Sequence, residues 1–352
     1  MKAFFNPGPS FFNAEVRQYA GWLKVYDLMQ EALVECGYEV ILPNIPEELI
    51  DGRTTVSKIT SWDILSACQI QKDISLFVGP PGYSLTQILL AKSLGAKCFS
   101  VVFNNADWYR DQQLDGEYKR FGQPYDLSPT WRWINKTALE MCDRVIACSP
   151  WVTWTHSKVV PMDKISIAPW GVDSARFTPS EKKSDVFRIL FVGGDPIRKG
   201  LIYLLEALRD LTIPYELWVV GCAPIKAPPP HWKQFGMVPN DQMPDIYCQC
   251  SVLVCPTLED GIALCVQEGM SCGLVPIATP EAAEVFQDPL FNPQGLKAGF
   301  QVGYRDVGQI AEDLQWLKNN PEERRAMGVR ARELAEQQTW ENTKTSFKSI
   351  IT

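Results

Sequence analysis

Histidine is almost missing from this chain: two in 352 residues, beside eleven cysteines. A zinc centre would therefore have to be built from thiolates, and the nearest gathering, Cys248, Cys250 and Cys255 around the apolar run Val252 to Cys255, matches no zinc-ligand spacing. Strand residues two apart share a face that is ordinarily core, so no metal site is expected. No run approaches the roughly 20 apolar residues that cross a bilayer. Pro7 and Pro9 break the apolar stubs of MKAFFNPGPSFF short of signal-peptide length. The expectation is a cytoplasmic protein with reduced, mostly buried thiols, for which peripheral contact with a membrane stays open. Positive charge is also short, with 34 Lys and Arg against 41 Asp and Glu and a net charge of -7. Nucleic-acid binding is built on clustered positive charge, so nucleic acid is not an expected partner and any phosphate contact should be local. No GxGxxG follows the first apolar run, which counts against a nicotinamide enzyme. GPPGYS at Gly79 to Ser84 lacks the Gly-Lys-Ser/Thr ending of a nucleotide-triphosphate loop.

What is present is a core-forming composition, 46% hydrophobic and 21% charged, over a length that suits two domains. Short apolar runs alternate with amphipathic segments, the pattern of parallel α/β architecture. In the first half, strands are expected at Lys2 to Phe5, Tyr38 to Leu42, Ile74 to Val78, Lys97 to Phe103, Arg144 to Ser149 and Ile165 to Ala168, with helices such as Ala14 to Glu35 and Ser84 to Leu94 between them. A second series follows: strands Arg188 to Val192, Glu216 to Val220, Val252 to Cys255 and Val275 to Ala278, and helices Gly200 to Leu211, Met243 to Cys250 and Ala263 to Cys272. The Gly-, Pro- and charge-bearing stretch Gly171 to Asp185 marks the boundary. The resulting domains are 1–178, 179–339 and a terminal helix at 340–352. Ligands of open α/β sheets bind beyond the C-terminal strand ends, so two such domains facing each other would make a cleft. Six large aromatics, Trp108, Tyr109, Trp131, Trp133, Trp151 and Trp154, fall in the first half and are mostly expected in its core.

Four residues in the second half stand out chemically. In RILFVGGDPIRKGLIYLLEAL, Arg198 and Lys199 open a helix with apolar positions Leu201, Leu204, Leu205 and Leu208. Cations there oppose the helix dipole at a cost of roughly 0.3 to 1 kcal/mol. A bound diphosphate would remove the conflict; alternatively both side chains point into water. In PTLEDGIALCVQEGM, Glu268 shares a helix face with Leu264, Cys265 and Cys272. A carboxylate on an apolar face needs good hydrogen bonds, which a ribose's paired hydroxyls or a structural partner could give. Asp260 lies at the strand-to-helix turn, either facing a ligand or serving as cap or turn residue.

These segments resemble the family 4 group of retaining glycosyltransferases with the GT-B fold. That group's signature places an acid, seven residues and a Glu in a stretch of Pro, Ser or Thr, Gly and small apolar residues, and here Asp260 and Glu268 occupy the two slots. GG followed by RKG resembles the family's diphosphate loop, IAPWGVDSARFTP its interdomain stretch, and ATPEAAEVF a turn near Glu284. The resemblance implies two Rossmann-like, doubly wound domains facing across a cleft, with the C-terminal helix crossing back to the first domain.

For function, the resemblance implies transfer of a sugar from a nucleotide-sugar, UDP- or GDP-linked, to a sugar, glycan or other hydroxyl acceptor, with retention and without metal or other cofactor. Lys199 and Arg198 would stabilise the leaving diphosphate, Asp260 would hold the transferred sugar, and Glu268 the ribose. Gly193, Gly194, Gly261, Ile262, Ala263 and Leu264 would line the donor, with the base near Gly236, Met237 and Val238. On the acceptor side stand Gly8, Ser10, Asn104, Asn105 and Trp108. The chain departs from the family in having Asp at the first acidic slot, Gly194 in place of a phosphate-binding Arg, and Asn104 in place of a His near the reacting sugar. The alternatives are a catalytically silent nucleotide-sugar-binding subunit and a GT-B epimerase or phosphorylase.

Overall fold

The computed structural model describes residues 1–9, 18, 23–46, 49–50, 55–125, 128–180, 186–209, 211–222 and 229–352. They form two compact units, one of Met1–Asp115, Pro124–Pro169 and Glu341–Thr352, the other of Gly116–Gln123 and Trp170–Trp340.

The first unit carries β1 (Lys2–Phe5), α1 (Lys24–Glu35), β2 (Glu39–Ile41), α2 (Thr55–Ala67), β3 (Ile74–Gly79), α3 (Leu85–Ser93), β4 (Lys97–Val102), α4 (Asp107–Arg120, ending in the second unit), α5 (Pro129–Met141), β5 (Arg144–Ala147), α6 (Pro150–His156) and β6 (Ile165–Ile167). Its sheet runs β2-β1-β3-β4-β5-β6, with every pairing parallel. Parallel strands covered on both faces need continuous apolar sequence, and Phe4, Phe77 and Cys98 are fully buried between the helices. Of the expected helix Ala14 to Glu35, only the part from Lys24 forms α1; residues 14–17 and 19–22 lie outside the described set.

The second unit carries β7 (Arg188–Val192), α7 (Leu201–Ala207), β8 (Glu216–Val220), β9 (Trp232–Gly236), α8 (Met243–Tyr247), β10 (Val252–Cys255), α9 (Leu264–Ser271), β11 (Val275–Ala278), α10 (Pro280–Gln287), β12 (Phe300–Gln301), α11 (Val307–Asn319) and α12 (Pro321–Gln337). The sheet order is β12-β11-β10-β7-β8-β9, again parallel throughout. The first strand in sequence, β7, thus lies in mid-sheet between β10 and β8. The chain winds outward from it in both directions, which makes the C-terminal ends of β7 and β10 the topological switch point where open sheets bind ligands.

The last helix, α13 (Trp340–Ile351), belongs to the first unit from Glu341 onward. Lys344 and Lys348 pair with Glu35 at 3.0 and 2.7 Å, and the Thr343 hydroxyl donates to the Pro169 carbonyl at 2.7 Å. No helix among the described residues is long and apolar enough to cross a membrane. Cys248, Cys250 and Cys255 are all free thiols.

Candidate functional site

Two loops meet at the switch point of the second unit. After β7 the chain passes Gly193 and Gly194 into a turn closed by Asp195, whose Oδ1 accepts the Ile197 and Arg198 amides, each at 3.0 Å. The turn ends at Gly200, with φ 76°, where an added Cβ would lie 1.9 Å from the Pro256 carbonyl oxygen. Only glycine fits both that conformation and that approach. The loop after β10 is joined to it: the Leu258 amide and Thr257 hydroxyl both donate to the Arg198 carbonyl, at 2.8 and 3.1 Å.

This zipping sets two cations beside two acids. The Lys199 ammonium donates to Asp260 Oδ2. Arg198 Nη1 donates to the Glu259 carbonyl at 3.1 Å and lies 3.5 Å from Glu259 Oε2. Burial pulls the Lys199 ammonium down and the Asp260 carboxylate pushes it up, with a net shift upward; the same opposition, with Asp260 and Glu259 as the acids, raises Arg198. Both cations are therefore held charged. Glu281 supports the loop from beneath: its carboxylate accepts the Asp260 amide at 2.6 Å and the Tyr304 hydroxyl at 3.1 Å.

Two readings change here. Arg198 and Lys199 precede the short helix α7 rather than opening it, and carboxylates answer their charge, so the dipole conflict does not arise. Nor do they point freely into water, with side chains 27% and 16% exposed. Asp260 is not a helix cap. Ala263 holds that position, and Asp260 Oδ1 instead accepts the Gly261 amide at 3.1 Å.

Glu268 lies on α9, whose fully buried positions are Val266, Gln267, Gly269, Met270 and Ser271. On its own face Leu264 and Cys265 are half-buried and Cys272 is fully buried. Oε2 accepts the Tyr247 hydroxyl at 2.8 Å. Burial pushes this carboxyl up to about 7, against the opposing pull of the Tyr247 hydrogen bond and the Arg176 charge. Gly261, Ile262 and Ala263 are buried beside it and Leu264 is half-buried. At the end of β9, Gly236 adopts φ 66° and its carbonyl accepts the Gly221 amide at 2.7 Å; Met237 beyond it is 60% exposed and Val238 half-buried. Glu284 sits within α10, buried, rather than at a turn.

The first unit holds a separate cavity of about 510 Å³ at the C-terminal end of β4. Asn104, Asn105 and Trp108 line it together with Tyr83, Trp131 and His156. Gly8 is not among them; it is buried near Pro80 and Tyr83, and Ser10 lies outside the described residues. The aromatic residues are less buried than expected. Of the six, only Tyr109 is buried, and Trp108, Trp133 and Trp154 are exposed. His156 escaped sequence reading because nothing local distinguishes it, and its place in one lining with Asn105 depends on α6 packing beside the loop after β4, where the Thr155 hydroxyl donates to Asn105 Oδ1 at 3.4 Å.

Residues 186–320 match the family model described as glycosyl transferases group 1. The sulfoquinovosyl transferase SQD2 of Arabidopsis thaliana is 26% identical over 198 residues, 51% of this chain and 38% of that protein. Matches to the curated relatives span 38% to 63% of those proteins' own lengths. Among solved structures, sucrose-phosphate synthase from Thermosynechococcus elongatus superposes with a TM-score of 0.76 at 16% identity, covering 100% of this chain and 98% of that one. Anabaena Alr3699/HepE in complex with UDP-glucose gives 0.68 at 13% identity, covering 100% and 99%. The two six-stranded parallel sheets give the chain the GT-B fold of two Rossmann-like units, and its residues 186–320 are similar to the glycosyl transferases group 1 domain.

Proposed function

We propose that this chain transfers a sugar from a nucleoside diphosphate sugar to a hydroxyl acceptor, with retention of configuration and without a metal ion. The observation that carries the reading is the pairing of Lys199 with Asp260, flanked by Arg198, at the switch point between β7 and β10. A diphosphate arriving there takes the place of the carboxylates as partner to both cations. Asp260 is then released to accept hydroxyls of the transferred sugar, and Glu268, once ionised, accepts those of the ribose.

As the anomeric C–O bond breaks, its electron pair goes to the diphosphate, and Lys199 and Arg198 stabilise the growing charge. The acceptor oxygen bonds to the anomeric carbon from the same face and its proton passes to the departing phosphate. Fixed guanidinium and ammonium groups do here what a divalent cation does in metal-dependent transferases. The related HepE fold, solved with UDP-glucose, supports a uridine donor.

Calorimetry with UDP, GDP and uridine, together with slow hydrolysis of the nucleotide-sugar in the absence of acceptor, tests this reading. A Kd below about 1 mM for a diphosphate and at least tenfold weaker binding of the nucleoside are expected; no diphosphate binding would sink it. Asn104, standing where the family resemblance expects a His, favours one second reading, a silent nucleotide-sugar-binding subunit. That subunit would bind the donor without ever hydrolysing it.

A further inference from the structure

The cavity of the first unit has a chemistry of its own. At about 510 Å³ it lies within the 300–1,000 Å³ range of small-ligand sites. Two indole rings at its wall are held in place. Trp131 packs on Gly82 so closely that a Cβ there would come within 2.3 Å of the ring, and Tyr83 meets it edge-on at 5.6 Å. The Trp108 Nε1–H donates to the Thr155 carbonyl at 3.0 Å, and its ring meets Trp154 at 5.9 Å. Fixed aromatic faces offer apolar contact to the carbon side of a sugar or polyol at little entropic cost.

The lining is positive in a chain of net charge -7: Arg110, Arg132, Lys136 and Lys158 against Asp107 and Asp111. Both acids are already bonded. Asp111 Oδ1 accepts Arg132 Nη2 and the Tyr125 hydroxyl, each at 3.1 Å, its Oδ2 lies 3.0 Å from Arg132 Nε, and Asp107 accepts the Asn135 amide at 2.9 Å. Lys136 makes an exposed pair with Glu140 at 2.7 Å, which contributes little. Lys158 has no side-chain partner among the described residues.

His156, 4% exposed, adds a polar group of the opposite kind. Its Nδ1 lies 2.9 Å from the Val152 carbonyl, an acceptor, so Nδ1 carries the proton. Burial pulls the imidazole down to about 4, keeping it neutral, and Nε2 is then a lone-pair acceptor. Among the described residues no hydrogen bond reaches Nε2. A ligand hydroxyl would supply the missing donor.

We propose that this cavity is the acceptor site and that its ligand is an anionic polyol or sugar, lying against Trp108 and Trp131, donating a hydroxyl to His156 Nε2 and setting a phosphate or carboxylate beside Lys158. That the ligand is an acceptor rests on the transferase reading; that the cavity binds it does not. The test is calorimetry on the full chain with glucose, glucose 6-phosphate and glucuronate, and sedimentation with phosphatidylglycerol or phosphatidylcholine vesicles.

Anionic ligands should bind at least tenfold more tightly than glucose, and Lys158→Glu should remove most of that gain while leaving UDP affinity unchanged. His156→Gln, which keeps an acceptor oxygen, should bind better than His156→Leu. Binding of glucose 6-phosphate identifies a free ligand, and binding of phosphatidylglycerol vesicles alone a lipid headgroup. The proposal is overturned if glucose binds as well as the anions, if neither the anions nor phosphatidylglycerol vesicles bind, if phosphatidylcholine binds as well as phosphatidylglycerol, or if Lys158→Glu has no effect. Loss of UDP binding with the anion preference intact would overturn the transferase reading alone.

Discussion

The substitution Glu268→Gln should stabilise the protein, and the gain should depend on pH. In the fold the carboxyl is pushed up to about 7, by burial first, from an ordinary 4.5. Between those values the folded state holds a proton that the unfolded state has lost. Stability therefore falls as pH rises from about 4.5 to about 7, stays at its lower level above that window, and carries no penalty below it. At about 1.4 kcal/mol per pH unit the ceiling is on the order of 3 kcal/mol, and solvent on the half-exposed face brings the expected value to about 1–3 kcal/mol. The side-chain amide oxygen of the variant can still accept the Tyr247 hydroxyl, so that contact survives. Apo melting curves of both proteins from pH 4 to pH 8.5 measure the difference; at roughly 2–4 °C per kcal/mol, the variant should gain several degrees across the window. Nucleotide binding should move the other way. The carboxylate is the better ribose acceptor, so wild-type affinity for UDP should rise with pH through about 7, while the variant binds roughly 5- to 150-fold more weakly and without that dependence. A melting difference that stays flat with pH would refute the buried-acid argument, and equal nucleotide affinity would remove Glu268 from the donor site.

Three further outcomes are expected. Lys199→Ala should lower kcat for donor hydrolysis more than it weakens donor binding, since the charge matters most as the diphosphate departs; equal losses in both would make Lys199 a ground-state contact only. Gly200→Ala should cost at least about 2 kcal/mol in denaturant unfolding, because the new Cβ meets the Pro256 carbonyl and the backbone is left-handed; a neutral result would mean the two loops are not joined as described. Turnover should survive excess chelator, and a strict Mg²⁺ or Mn²⁺ requirement would show that an ion, not Arg198 and Lys199, meets the diphosphate.

The sheets were legible where apolar runs are continuous. The bounds of β7, β8, β10 and β11 coincide with the runs Arg188 to Val192, Glu216 to Val220, Val252 to Cys255 and Val275 to Ala278. The edge strands β9 and β12 were not, because WKQFG, interrupted by Lys233 and Gln234 on a half-buried edge, has no continuous apolar run and Phe300–Gln301 is too short to leave a pattern. At the switch point, motif spacing singled out Lys199 and Asp260 but not Glu259 or Glu281. Those two are placed by contacts across loops distant in sequence, and only the position of Glu281 directly after Pro280, at the start of a helix, could have flagged it. The aromatic residues misled because size suggested core. Trp108, Trp133 and Trp154 instead stand on helix faces left open at the surface of the first unit.

The most direct test of the central claim is a crystal structure with bound UDP or GDP. The account expects diphosphate oxygens within hydrogen-bonding distance of Lys199 Nζ and Arg198, the Lys199–Asp260 contact exchanged for phosphate, and the ribose hydroxyls on Glu268. Nucleotide bound elsewhere, with the Lys199–Asp260 pair intact, would contradict it.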